Sequence, residues 1–166
     1  VRDTYEILDA PGATVTDNVD PEREVGLTLP PDEIPGLVLH LDAGSPGEDY
    51  NDGDVMTNGL KDLSGREHHA GNIRGDPTWK ADGLNGRATI NFDGDDMVWT
   101  TKDFESDLAN YTMLTVARYT GGDNERVIST KGRNWMFGFH GNNTGRWHAD
   151  GWIANQGSGD TDWHLH

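Results

Sequence analysis

From Gly36 to His166 hydropathy alternates at every second residue in short runs, and glycine-based pairs interrupt those runs about every ten residues. Ser64-Gly65, Asp82-Gly83, Asn85-Gly86, Asp93-Gly94, Gly121-Gly122 and Gly141-Asn142 are such pairs. Alternation sends successive side chains to opposite faces of an extended chain, and glycine or asparagine between runs tolerates the positive φ of a tight reversal. A sequence patterned in this way folds into short antiparallel strands. It predicts strands over 37–42, 87–92, 97–101, 111–119, 126–130, 134–140, 145–150 and 161–166. One helical turn or two is expected over 103–108, where Phe104 and Leu108 stand at i, i+4 behind Asp103.

The expected fold class is therefore all-β, a two-sheet antiparallel jelly-roll sandwich. A length of 166 residues suits one domain of that kind. Residues 1–35 read differently: they hold five of the seven prolines, several acids and little apolar sequence. Proline cannot donate to a central ladder, so this segment is expected to be a linker or surface arm, with the sandwich domain spanning 36–166. The run 161–166 alternates like a strand up to His166, which leads to the expectation that the sandwich lacks its last strands in this chain and is completed by a neighbouring segment.

Charge removes two classes of partner. With 13 basic against 29 acidic side chains, the formal charge is −16, and such a field repels phosphate backbones and anionic lipid. Neither nucleic-acid binding nor membrane insertion is expected, and the longest apolar runs, such as Leu37-Val38-Leu39, fall far short of the roughly 20 residues that span a bilayer. The chain has no cysteine, so no disulfide framework or thiolate chemistry exists.

Four ordered segments carry a resemblance. These are Gly36-Leu37-Val38-Leu39-His40-Leu41-Asp42-Ala43; Asp62-Leu63-Ser64-Gly65-Arg66-Glu67-His68-His69-Ala70; Asn91-Phe92-Asp93-Gly94-Asp95-Asp96; and Tyr111-Thr112-Met113-Leu114-Thr115-Val116-Ala117-Arg118. Together they resemble the bacterial LamG-like, concanavalin A-like lectin/glucanase superfamily. The resemblance implies a jelly roll that serves as one module of a long secreted, periplasmic or cell-surface protein. Such a module binds carbohydrate or protein, in some cases with calcium. It also implies further strands beyond the position of His166.

Individual residues suggest where such binding would occur. Trp147 and Trp152 flank His148, Asp150 and Gly151 in a turn-like stretch, and an exposed indole stacks well on a sugar ring. Arg146 nearby suits a hydroxyl or carboxylate, so Trp147, Trp152, Arg146 and Asp150 form the expected ligand-binding set. Trp135, Phe137 and Phe139 alternate on one face and are expected in the core. Asp49, Asn51, Asp52 and Asp54 place short oxygen ligands around Gly53 and form the expected calcium site, although the EF-hand spacing is absent. Asp93-Gly94-Asp95-Asp96 is read first as a tight hairpin whose acids accept backbone N–H groups. Asp62 and Ser64 are likewise expected to bond backbone and not to form a catalytic pair. The seven histidines have no zinc spacing.

No enzyme is expected. The Glu-x-Asp-x-x-Glu run of hydrolases in this superfamily is absent, and Glu48, Glu67, Glu105 and Glu125 are isolated. The favoured expectation is a noncatalytic recognition or adhesion module for a glycan or extracellular protein. The first alternative is a structural subunit completed by a neighbouring subunit or by the remainder of its parent polypeptide. The second is a carbohydrate-active enzyme on the same fold.

Overall fold

The computed structural model describes residues 15–16, 24–25, 31–46, 49–104, 111–121, 124–130 and 132–166. Twelve short strands and one 3-10 turn at Pro31–Glu33 make up its regular structure, all pairings are antiparallel, and no α-helix occurs among the described residues. The all-β class follows directly. No helix of the described residues is long and apolar enough to cross a membrane.

In the segment expected as an arm, β1 (Val15–Thr16) pairs with β2 (Glu24–Val25), and most of the remainder lies outside the described residues. Further along, β3 (Asn72–Arg74) pairs with β6 (Met97–Trp99) around the hairpin of β4 (Thr78–Leu84) and β5 (Arg87–Asn91). Asn85-Gly86 turns that hairpin with φ values of 51° and 77°, the pair of positive values a type I′ reversal needs. The Gly86 N–H then donates to Asp82 Oδ1 at 2.8 Å. Asp82-Gly83, expected as a separate turn, instead sits inside β4, where the register shifts between Lys80 and Leu84.

Residues 53–56 run antiparallel to the start of β4. Gly53 N–H donates to Trp79 O, Trp79 N–H to Asp54 O and Met56 N–H to Pro77 O, all within 2.9 Å. This strip buries Met56, Pro77 and Trp79, and the Trp79 indole N–H reaches Ala43 O at 2.8 Å. A buried indole with its donor satisfied contributes its full apolar area at no polar cost.

The second half of the chain forms a four-stranded sheet in the order β11-β10-β9-β8, from β8 (Ile128–Ser129), β9 (Trp135–Phe137), β10 (Gly145–Ala149) and β11 (Trp152–Gln156). Beside it, β7 (Val116–Ala117) and β12 (His164–Leu165) form a ribbon, extended by reciprocal 2.9 Å bonds between Thr115 and His166. Trp135 and Phe137 stack on one face of β9, and Phe137 meets Trp147 and His166. Phe139 follows on the same face, fully buried against Tyr119 and His166. The inner side of the ribbon therefore closes over the aromatic side of the sheet. Burial pushes the Tyr119 hydroxyl up to about 12, the Glu125 carboxylate adding to the rise and Arg146 opposing it.

Two expectations need correction. The run 37–42 alternates but is not a strand: only Leu41 bridges, to Asp62. Its backbone is instead held by side chains, as described below. The stretch 147–152, expected to be turn-like, is mostly strand: 147–149 belong to β10, and Trp152 opens the edge strand β11, over which no strand is expected from the sequence. The strands expected over 111–119, 126–130, 134–140 and 161–166 are present in shortened form as β7, β8, β9 and β12. Of the helix expected over 103–108, residues 105–108 lie outside the described residues, while Asp103 and Phe104 have irregular backbone.

Candidate functional site

The β10–β11 hairpin turns on Asp150 and Gly151, with φ of 52° and 155°. This places Asp150 in the middle of a three-residue reversal between the paired His148 and Trp152, at a positive φ that Asp tolerates better than most residues. The strands then run in register from His148 opposite Trp152 to Gly145 opposite Gln156, with a shift between Trp147 and His148.

Pairing and alternation divide the four expected ligand residues between two faces. Trp147 lies on the inner face, where its ring meets Phe137 at 6.1 Å and His166 at 5.9 Å between centroids. Arg146, His148 and Trp152 share the outer face. The Arg146 guanidinium carbon lies 5.7 Å from the Trp152 centroid, and the His148 ring meets Trp152 edge-on at 5.2 Å. Trp147 and Trp152 therefore do not form one surface. Trp147 belongs to the aromatic core, because strand period two makes 147 and 148 opposite in direction.

Trp152 remains 51 % exposed on a braced ring, so about half of its surface is accessible to a partner although the Arg146 guanidinium lies over one of its faces. Met136 pairs with both His148 and Ser129 in the sheet, which places it on the same face, where it is buried. His148 Nδ1 donates to Asn134 O at 2.7 Å, which fixes the ring and leaves Nε2 as its remaining polar atom. Asn134 in turn accepts from the Arg126 guanidinium. His148, Asn134 and Arg126 were not expected at the site. His148 could have been found from its i, i+2 relation to Arg146 on a strand, whereas Asn134 and Arg126 come from other strands or loops and leave no local signal.

Two of the four expected calcium ligands, Asp52 and Asp54, accept backbone N–H groups. Asp52 Oδ1 accepts Ala81 N–H at 3.0 Å, and Asp54 Oδ2 accepts Asn51 N–H at 2.8 Å and its Nδ2 at 3.2 Å. Asp49 is exposed in the turn after Pro46. A different acidic group does converge: Asp76, Asp93, Asp95 and Asp96 each bring a carboxylate oxygen within 4.8 Å of the others. Within it, Asp96 accepts the N–H of Asp76 at 2.7 Å and of Asp93 at 3.0 Å. The remaining oxygens of this group are hard donors suited in kind to calcium.

The most completely bonded acid is Asp62, only 3 % exposed. Its Oδ1 accepts the N–H groups of His40 and Ser64, and its Oδ2 accepts the Ser64 hydroxyl and the His68 N–H, at 2.7 to 3.0 Å. Burial alone would raise its pKa. The donors of His40, Ser64 and His68 outweigh that penalty and hold the carboxyl far below the ordinary carboxylate range. Around this acid, Arg66 Nε donates to Leu37 O at 2.7 Å, His68 Nδ1 to Val38 O at 2.9 Å, and Asp62 N–H to His69 Nδ1 at 3.0 Å. The Asp-Leu-Ser-Gly turn thus clamps the extended segment 37–40 through its side chains.

On the outer face of β10 and β11 an exposed aromatic ring, a guanidinium and an imidazole converge. No family model, curated protein or solved structure matches the chain, so this geometry carries the functional reading.

Proposed function

We propose that the chain is a noncatalytic recognition module of a secreted or cell-surface protein, a LamG-like jelly roll that binds a glycan on the Trp152 face. The observation that carries this reading is the half-exposed Trp152 ring, braced by Arg146 and His148 on the outer face of an edge hairpin. A sugar ring presents an axial C–H face that stacks on indole, and a pre-oriented ring loses little entropy on binding. The order of the four motif segments favours the same family of modules.

Titration of a panel of neutral and acidic polysaccharides, followed by tryptophan fluorescence and calorimetry, tests the reading. Trp152→Ala should weaken binding by at least about tenfold, while the inner-face variant Trp147→Phe should retain it. Equal loss in both variants, or no binding by the parent protein, would contradict the assignment.

A second reading is a structural subunit. It is favoured by the outward side of the β7–β12 ribbon, where Leu114, Val116 and Leu165 are each about half exposed beside the Arg118–Trp163 cation–π pair. Sedimentation decides it: a monomer of 18.3 kDa at all concentrations argues against, and a concentration-dependent assembly argues for. Calcium enters this proposal at Asp76, Asp93, Asp95 and Asp96, and a melting temperature unchanged by chelator would remove it.

A further inference from the structure

The −16 charge is not spread evenly. Residues 111–166 hold five basic and five acidic side chains, so the whole excess belongs to residues 1–110. The repulsion that disfavours polyanions on the chain as a whole is thus concentrated in the first two thirds of the sequence. At physiological salt it decays over roughly 8 Å outside the molecule.

Within the neutral part, Arg146 is distinguished by its Nε, which is buried without a hydrogen-bond partner. Like Arg118 and Arg126, it makes no ion pair among the described residues, although the chain has more than two carboxylates for every basic side chain. Its guanidinium faces Trp152 instead. The neighbouring donors are held by neutral groups in the same way: Arg126 by the Asn134 side chain and His148 Nδ1 by the Asn134 carbonyl. Guanidinium groups only donate, so they suit a ligand rich in acceptors. Neutral sugars present hydroxyls that both donate and accept, and sites for them ordinarily need carboxylate acceptors. A sugar carboxylate accepts only, and it matches the planar fork of arginine.

We infer that the ligand of the Trp152 face is a uronan, a polymer of carboxylate-bearing sugars, whose ring stacks on Trp152 while its carboxylate is received by the unpaired Arg146. This inference rests on the reading of that face as a glycan-binding surface. In this arrangement Trp152 supplies affinity for any flat sugar face, and Arg146 selects for the acid.

The test uses the whole chain with polygalacturonate, alginate and glucuronan, the methyl esters of the same polymers, and a neutral set of xylan, mannan, galactan and β-glucan. The expected result is binding to at least one uronan that falls about tenfold or more on esterification or in about 0.5 M salt. Arg146→Met should reproduce that fall without altering whatever affinity remains for the ester, and Arg146→Lys should be intermediate because it keeps the charge but loses the fork. Esterification and salt act on the unaltered protein, so the result does not depend on the variants folding. Binding to neutral polymers or esters as tightly as to the acids would overturn the uronan and leave the glycan-binding face standing. Binding to none of the polymers would overturn both.

Discussion

Asp62 shows how one side chain can do the work of a strand. Four donors from three residues converge on its carboxylate, and two of them, the N–H groups of His40 and His68, lie 22 residues upstream and six downstream. Asp62→Asn replaces one acceptor oxygen with an NH2 that faces donors, leaving buried N–H or O–H groups unpaired. The expected cost is roughly 3 kcal/mol in a denaturant titration, and a loss below about 0.5 kcal/mol would refute the clamp. The pH dependence has a definite sign. Since the folded pKa lies below the unfolded one, the contribution is complete above the ordinary carboxylate range and disappears as pH falls through that range and below it.

His166 behaves oppositely to a paired histidine. Burial against Phe137, Phe139 and Trp147, and to a lesser extent the charge of His164, lower its pKa from 6.5. The fold thus favours the neutral ring. Stability should be unaffected by this group above pH 6.5 and should decline as pH drops below it toward the folded value. His166→Phe, which keeps an aromatic ring, should flatten the melting temperature between neutral and mildly acidic pH relative to the parent protein. A variant with the same slope would show that His166 is not the responsible group.

At the scale of elements, Gly138 links β9 to the buried Phe139 and approaches the ribbon closely. Its φ is 86°, and a methyl group there would stand 2.8 Å from Cδ2 of His166. Gly138→Ala therefore combines a left-handed backbone with a clash against a packed ring, and should lower stability by about 1–3 kcal/mol. A neutral substitution would mean that the ribbon does not close on the sheet as described.

The legibility of the elements in the sequence follows from where their hydrogen bonds go. The β4–β5 hairpin was readable because Asn85-Gly86 encodes its turn locally, and β10 because Arg146 and His148 alternate with Trp147. The run 37–42 misled because alternation reports an extended backbone but not its partner, and here the partner is the side chain of Asp62. β11 was missed because the short reversal of Ala149, Asp150 and Gly151 joins it to β10, and the register shift near His148 masks its period. The same oversight placed Trp147 beside Trp152. Once β10 and β11 are paired, period two separates them, and Arg146 and His148 join Trp152 in the place of Trp147.

For the molecule as a whole, charge and apolar surface are distributed unequally. The acidic excess lies in residues 1–110, whereas eight of the twelve exposed large apolar side chains of the described residues, Leu114, Val116, Trp152, Ile153 and Leu165 among them, lie in the neutral remainder, the other four being Ile34, Leu41, Val55 and Phe92. Apolar side chains gathered into a patch mark contact regions, whereas scattered single ones are ordinary. Among the described residues the outer face of β10–β11 and the outer side of the β7–β12 ribbon gather several, and the two imply different functions. Sequence pattern alone could not separate them, because both consist of alternating strands of similar composition.

Hydrogen exchange of the whole chain, with and without the polysaccharide that the titrations select, separates these regions most directly. Binding at the Trp152 face predicts slowed exchange confined to residues 145–156 and the adjoining β9 amides, with the β7–β12 ribbon unchanged. Protection centred on 114–118 and 163–166, or none in the β10–β11 hairpin, would contradict the account.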